Sequence, residues 1–144
     1  MPQFKEEGIV LRTHKLGETD RIITLLSRNS GQIRAVAKGV RKTSSKIGAR
    51  LEPFMAVEAQ FYKGKTLDVV TQVETIASYG KQIVADYEAY LAGSKILETA
   101  ERLTRETSTQ QHYQLLMGAL RSLSKLEHDP HAISNSYQLR ALSL

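Results

Sequence analysis

The sequence predicts an α+β fold: a barrel of five short strands over residues 1–80, followed by a helical segment over 81–144. Three observations carry that expectation. Apolar and polar residues alternate with period two through the first half. From about residue 82 the apolar spacing changes to three and four, the period of a helix. Gly17, Asp20, Asn29, Gly31 and Gly64 fall between the strand-like runs, where turns need them.

The elements follow in order. GIVLRTH (8–14) and RIITLLSR (21–28) are strands flanking the turn-like KLGETD, and NSG (29–31) reverses the chain into QIRAVAKGV (32–40). After a basic loop, EPFMAVEAQFYKGKTLDVVTQVE holds two further strands around Gly64, with Pro53 at a strand start where no ladder N–H is needed. Alternation assigns faces. Met55, Val57, Ala59 and Phe61 oppose Glu58, Gln60 and Tyr62; Ile33, Ala35 and Ala37 oppose Gln32, Arg34 and Lys38; Ile9 and Leu11 oppose Arg12 and His14. Five strands with one apolar face in about 80 residues match a small barrel of the oligonucleotide-binding (OB) kind, which leaves no open sheet edge.

Ile83, Tyr87, Tyr90, Ser94 and Leu97 predict one amphipathic helix over 82–106. Ser108 and Gln111 are spaced as a capping box for a second helix, with Tyr113, Leu116, Met117, Leu120 and Leu123 as its stripe. Asp129–Pro130 supplies the N-cap and first position of a third, with Ile133, Tyr137 and Ala141 on one face. Three helices are few for a separate core, so they are expected to pack on the barrel or to lack a continuation. Tyr87, Tyr90, Leu116 and Leu120 are read as packing residues, or else as a surface for a partner.

Composition narrows the function classes. Of 144 residues, 41% are apolar and 24% charged, which fits a folded core rather than disorder. No apolar run is long enough to span a bilayer, no secretory h-region opens the chain, and the absence of cysteine excludes disulfides and thiolate metal sites. A cytoplasmic protein is expected. Residues 1–80 hold 13 Lys+Arg against 8 Asp+Glu, a net +5, whereas 81–144 hold 7 against 7. All the excess positive charge lies in the first half, an arrangement that favours a polyanionic partner.

That charge is densest in AKGVRKTSSKIGAR (37–50), where Lys38, Arg41, Lys42, Lys46 and Arg50 stand without an acid among them. The segment reads as a surface that tracks a phosphate backbone or as a solvated charge run. Arg12 and Arg34, on the polar faces of neighbouring strands, would extend it across the barrel. Of the aromatics, Phe54 and Phe61 occupy core positions. Tyr62 shares a face with Glu58 and Gln60, and is either a base-stacking ring or an ordinary half-exposed strand tyrosine.

The same stretches resemble the bacterial RecO family of DNA-repair mediators. The likeness rests on GIVLRT (8–13), GETD (17–20), GQIRAVAKGVRK (31–42), Ser44 or Ser45 beside a basic residue, LEPF (51–54), YKGKTLDVV (62–70) and YQLRALSL (137–144), in that order along nearly the whole chain. The resemblance implies an OB fold followed by a helical domain that binds single- and double-stranded DNA and anneals strands without a nucleotide cofactor. It also implies association with the nucleoid and with RecR in loading RecA onto DNA coated by single-strand-binding protein (SSB). The family's Cys-rich zinc region is missing, so the helical part is expected to be truncated. On this resemblance the expected DNA-contacting residues are Arg12, Arg34, Lys38, Arg41, Lys42, Lys46, Arg50 and Tyr62.

Nothing points to catalysis, a cofactor or a metal. Glu18 and Asp20 read as turn residues, His128, Asp129 and His131 as a helix start, and no phosphate-cradling glycine loop is present. Two alternatives remain open: an RNA-binding barrel, and a protein–protein adaptor in repair with little DNA contact.

Overall fold

The computed structural model describes residues 2–41, 47–107 and 109–144; Lys42, Lys46 and Ser108 lie outside the described residues. Five strands, β1 (Gln3–Leu16), β2 (Asp20–Ser27), β3 (Gln32–Ala37), β4 (Met55–Tyr62) and β5 (Asp68–Ser78), precede four helices, α1 (Gly80–Ala85), α2 (Tyr87–Leu103), α3 (Gln110–Ser124) and α4 (Pro130–Leu142). The strands close into a barrel in the order β1-β2-β3-β5-β4. Among the described residues only β3 and β5 pair in parallel. The alternation suggested a small closed barrel, and this strand order with its parallel pair is consistent with the OB fold.

The alternation in β3 and β4 holds. Ile33, Ala35, Ala37, Met55, Val57, Ala59 and Phe61 all enter the barrel core, together with Val10, Ile23, Leu25, Val70 and Val73. In β1 it does not. Val10 points into the barrel, while Ile9 and Leu11 join Leu26, Ala56 and Phe54 in a second core shared with the helices. The register with β2 slips between Val10 and Arg12, leaving Leu11 as a bulge. Because one residue of slip reverses every later side chain, the bulge returns Arg12 to the outer surface that Ile9 occupies.

The helical half departs from expectation more. The single helix expected over 82–106 is two: Asp86 leaves helical backbone (φ −113°, ψ 120°), and its carboxylate accepts from the Ala89 N–H at 3.0 Å to cap α2. The buried face of α2 is Ala89, Ala92, Gly93, Ile96, Leu97 and Ala100. Tyr87 and Tyr90, expected to pack, are instead 71% and 44% exposed. Small residues face the barrel because the helix lies close to it. A Cβ on Gly93 would stand 2.8 Å from Cε1 of Phe54. Phe54 itself holds φ 73°, a conformation costly for a non-glycine residue, and its ring fills the space beside Gly93.

The expected Ser108 capping box is also corrected: Thr109 is the N-cap of α3, without a side-chain hydrogen bond. The stripe that follows is largely as read, with Tyr113, Leu116, Leu120 and Leu123 buried and Met117 half-buried. At α4, Asp129 Oδ1 accepts from the His131 N–H at 3.0 Å with Pro130 at the first position, as expected. Among the described residues no helix is long and apolar enough to cross a membrane.

His112, in the first turn of α3, is buried, and burial lowers its pKa below 6.5. As pH falls through 6.5 the unfolded chain therefore takes up this proton before the folded one does, and stability declines until the lowered folded value is passed. Thermal unfolding measured on both sides of pH 6.5 is expected to give a lower Tm on the acid side. His112→Gln is expected to flatten that dependence.

Candidate nucleic-acid interface

The outer face of β1–β2–β3 carries two cross-strand rows. Arg12, Thr24 and Arg34 stand directly opposite one another across the three strands, and His14, Ile22 and Val36 form the next row. Arg12 and Arg34 are thus two strands apart, about 10 Å. Arg34 and Lys38 are both exposed, and neither is ion-paired among the described residues. Lys38 follows the last residue of β3 and is four positions on from Arg34, about 13 Å along an extended chain.

At the upper end of the barrel the β1–β2 turn holds the start of the basic loop. Asp20 Oδ1 accepts from Thr19 Oγ1 at 2.9 Å and from the Gly39 N–H at 2.8 Å, at a glycine with φ 70°. The Arg41 N–H donates to the Thr19 carbonyl at 2.9 Å, and Arg41 Nη1 to the Gly17 carbonyl at 2.6 Å. Asp20 and the carbonyls of Gly17 and Thr19 thus clamp the segment that leads into the loop.

At the lower end the β4–β5 loop adds cations that sequence reasoning did not select. Lys63 and Lys65 line one cavity with Arg34 and Lys5. The loop is tightly closed: Gly64 N–H donates to Asp68 Oδ1 at 3.2 Å, and a Cβ at Gly64 would fall 1.9 Å from the Leu67 carbonyl oxygen. The KGK spacing was visible as a turn. Its position beside Arg34 comes from the parallel pairing of β3 with β5, at Ala35 with Asp68.

The remaining expected contacts are dispersed. Arg12 pairs with Glu101 of α2 at 3.0 Å, and Arg105 approaches the same carboxylate at 3.8 Å. Gln32 Nε2 donates to the Glu101 carbonyl and to Thr104 Oγ1, so the end of α2 borders this face and Arg12 is partly offset. Arg50 Nη1 donates to the Val73 carbonyl at 3.0 Å and so lies against β5, round the barrel from β2. Tyr62 is 36% exposed on β4, between Gln3 and Val69, apart from the Arg12–Thr24–Arg34 row. Lys42 and Lys46 fall outside the described residues.

The opposite side of the barrel has the reverse sign. Glu7, Glu58 and Glu74 stand in register across β1, β4 and β5. Like charges directly opposite cost stability. Of these three, only Glu7 is ion-paired among the described residues, with Arg28 at 3.0 Å. The two sides of the barrel thus differ in the charges they carry.

The family model for recombination protein O, N terminal, matches residues 1–79. The chain belongs to the recombination protein O family. The curated relatives it resembles include the DNA repair protein RecO of Bifidobacterium longum (strain NCC 2705), 53% identical over 146 residues. The DNA repair protein RecO of Streptomyces avermitilis is 54% identical over 153 residues, and that of Thermobifida fusca 49% over 146. Each alignment covers 100% of this chain and 60–61% of the relative. The chain therefore spans about three fifths of the length of these relatives, and what it shares with them includes all four helices as well as the barrel.

Proposed function

We propose that this chain binds DNA through the outer face of β2–β3 and serves recombinational repair as a non-enzymatic, strand-annealing mediator. One observation carries the reading. Arg34 on β3 and Lys38 just past its end, with no ion-pair partner among the described residues, lie between the β1–β2 turn and the lysines of the β4–β5 loop. In OB folds the strand 2–3 face between those two loops is where oligonucleotides bind. Membership of a recombination family and the acidic ladder on the opposite side support the same orientation.

Cations on a face with few rings neutralise phosphates and leave most bases free. Two strands held on such a surface repel less and meet with their pairing edges exposed, which is what annealing requires. The family resemblance adds a wider role, the loading of RecA with RecR onto DNA coated by SSB.

Equilibrium titration against salt tests the reading, with DNA and RNA of matched sequence. Binding to duplex DNA is expected to weaken with log[salt] at a slope of about −0.9 per phosphate contact, and at about −0.7 per contact for single strands. A flat salt response would overturn it, and a clear preference for RNA would move the function to RNA.

A further inference from the structure

The lower mouth of the barrel holds a cavity of about 650 Å³, within the range of roughly 300–1,000 Å³ typical of small-ligand sites. Its lining is unusual for a surface hollow. Phe4 and Ile33 form apolar wall, while Lys5, Arg34, Lys63 and Lys65 surround it. Of its two acids, Glu6 is engaged by the Asn29 N–H at 3.1 Å and Ser30 Oγ at 3.0 Å. The other, Asp68, is held by the Gly64 N–H and lies 3.9 Å from Lys63 Nζ. Both carboxylates are therefore committed to the turns that build the mouth, and Lys5, Arg34 and Lys65 are left without ion pairs among the described residues.

Phe4 is the informative group. It lies opposite Phe61 in the β1–β4 register, and the two rings stack with centroids 5.0 Å apart and planes 19° from parallel. Phe61 is fully buried, but Phe4 is only half so. The Lys63 ammonium stands over the Phe4 ring, 5.8 Å from its centroid. That lysine side chain is 63% exposed and can move without unpacking anything. A ring anchored from behind and covered in front by a movable cation is a stacking platform with a displaceable occupant.

We propose that this cavity takes one unpaired nucleobase, stacked on Phe4, while Lys63 leaves the ring for the adjoining phosphate and Arg34 and Lys65 hold its neighbours. The site rests on the DNA-binding reading of the β3 face and gives that face a selectivity it otherwise lacks. A duplex keeps its bases stacked inside and must unpair one to use the ring, whereas a single strand already has one to offer. Phosphate contacts then serve both forms of DNA, and Phe4 serves only the single strand.

The test uses the full chain with an oligothymidylate and a blunt duplex of equal length. Phe4→Leu keeps an apolar side chain against Phe61 and removes the π-face. It is expected to weaken single-strand binding about 5- to 150-fold, the range of one lost stack, and to leave duplex binding unchanged. A strand carrying 2-aminopurine is expected to lose fluorescence on binding the parent protein and to stay bright with Phe4→Leu. Single-strand affinity and quenching unaltered in Phe4→Leu would overturn the base site. If Arg34→Glu with Lys38→Glu still weakened both DNAs in that case, the β3-face reading would stand without it. Both DNAs bound normally by that charge-reversed pair would remove the reading beneath as well.

Discussion

Replacing Arg34, Lys38 and Lys65 together by glutamate is expected to weaken binding of single- and double-stranded DNA alike, on the order of a hundredfold or more at moderate salt. Three phosphate contacts are lost, so the slope of log K against log[salt] is expected to shrink by about 3 for duplex DNA. Reversal adds repulsion to that loss. The side chains are exposed and form no ion pair among the described residues, so Tm is expected to hold, surface changes of this kind falling within about 0.5 kcal/mol each. Glu58→Gln with Glu74→Gln, on the far side of the barrel, is the matching control. It relieves a like-charge ladder and is expected to leave DNA affinity nearly unchanged. A folded triple variant that bound DNA like the parent would show that the β3 face is not the interface.

Gly93→Val is expected to have the largest effect on stability. In an exposed helix the loss of a glycine would help, since Gly costs about 1 kcal/mol relative to Ala there. Here the added Cβ would stand 2.8 Å from Phe54 Cε1, 3.1 Å from Ile83 Cγ2 and 3.1 Å from Leu123 Cδ2. Ile83 and Leu123 are buried, and Phe54 is already held at φ 73°, so no neighbour can withdraw cheaply. The two γ-methyls of valine add to the overlap. Overpacking of this kind costs about 1–3 kcal/mol and occasionally more. The expected result is a marked fall in both Tm and denaturant midpoint. Because Gly93 joins α2 to the barrel and the other helices, both halves are expected to lose stability in one transition. An unchanged midpoint would mean that α2 lies farther from Phe54 than the contacts indicate.

How much of this was legible differs by element. β4 could be read residue by residue because it is buried on its barrel side and polar on the other along most of its length, so period two survives in the letters. β1 could not. Its middle is buried on both faces, and the bulge at Leu11 reverses the phase, so alternation assigned Arg12 correctly to a polar surface but Ile9 and Leu11 to the wrong interior. Helix α2 was misread for a related reason. Four of the six residues on its buried face are alanine or glycine, which carry little hydrophobic signal, while its tyrosines drew the stripe toward solvent. The Asp86 break has an N-cap residue at the right place, but one apolar period runs through it and masks the interruption.

The expected site divides in the same way. The excess of cations in the first 80 residues, and Arg34 on a polar strand face with Lys38 just past its end, are properties of local order and were open to reading. Phe4, Lys63 and Lys65 meet Arg34 only because β1 pairs with β4 and β5 runs parallel to β3. Likewise, Glu101 offsets Arg12 only because α2 folds back across the sheet.

From its residues alone, then, this chain was bound to form a five-stranded barrel with helices behind it and a surplus of positive charge on the barrel, since periodicity and net charge are sums over neighbours in sequence. Which cations stand together, which are neutralised, which ring reaches the mouth and which side turns acidic were decided by strand pairing and helix docking. Those contacts join residues distant along the chain, and their strength depends on separations of a few ångströms that only the closed barrel sets.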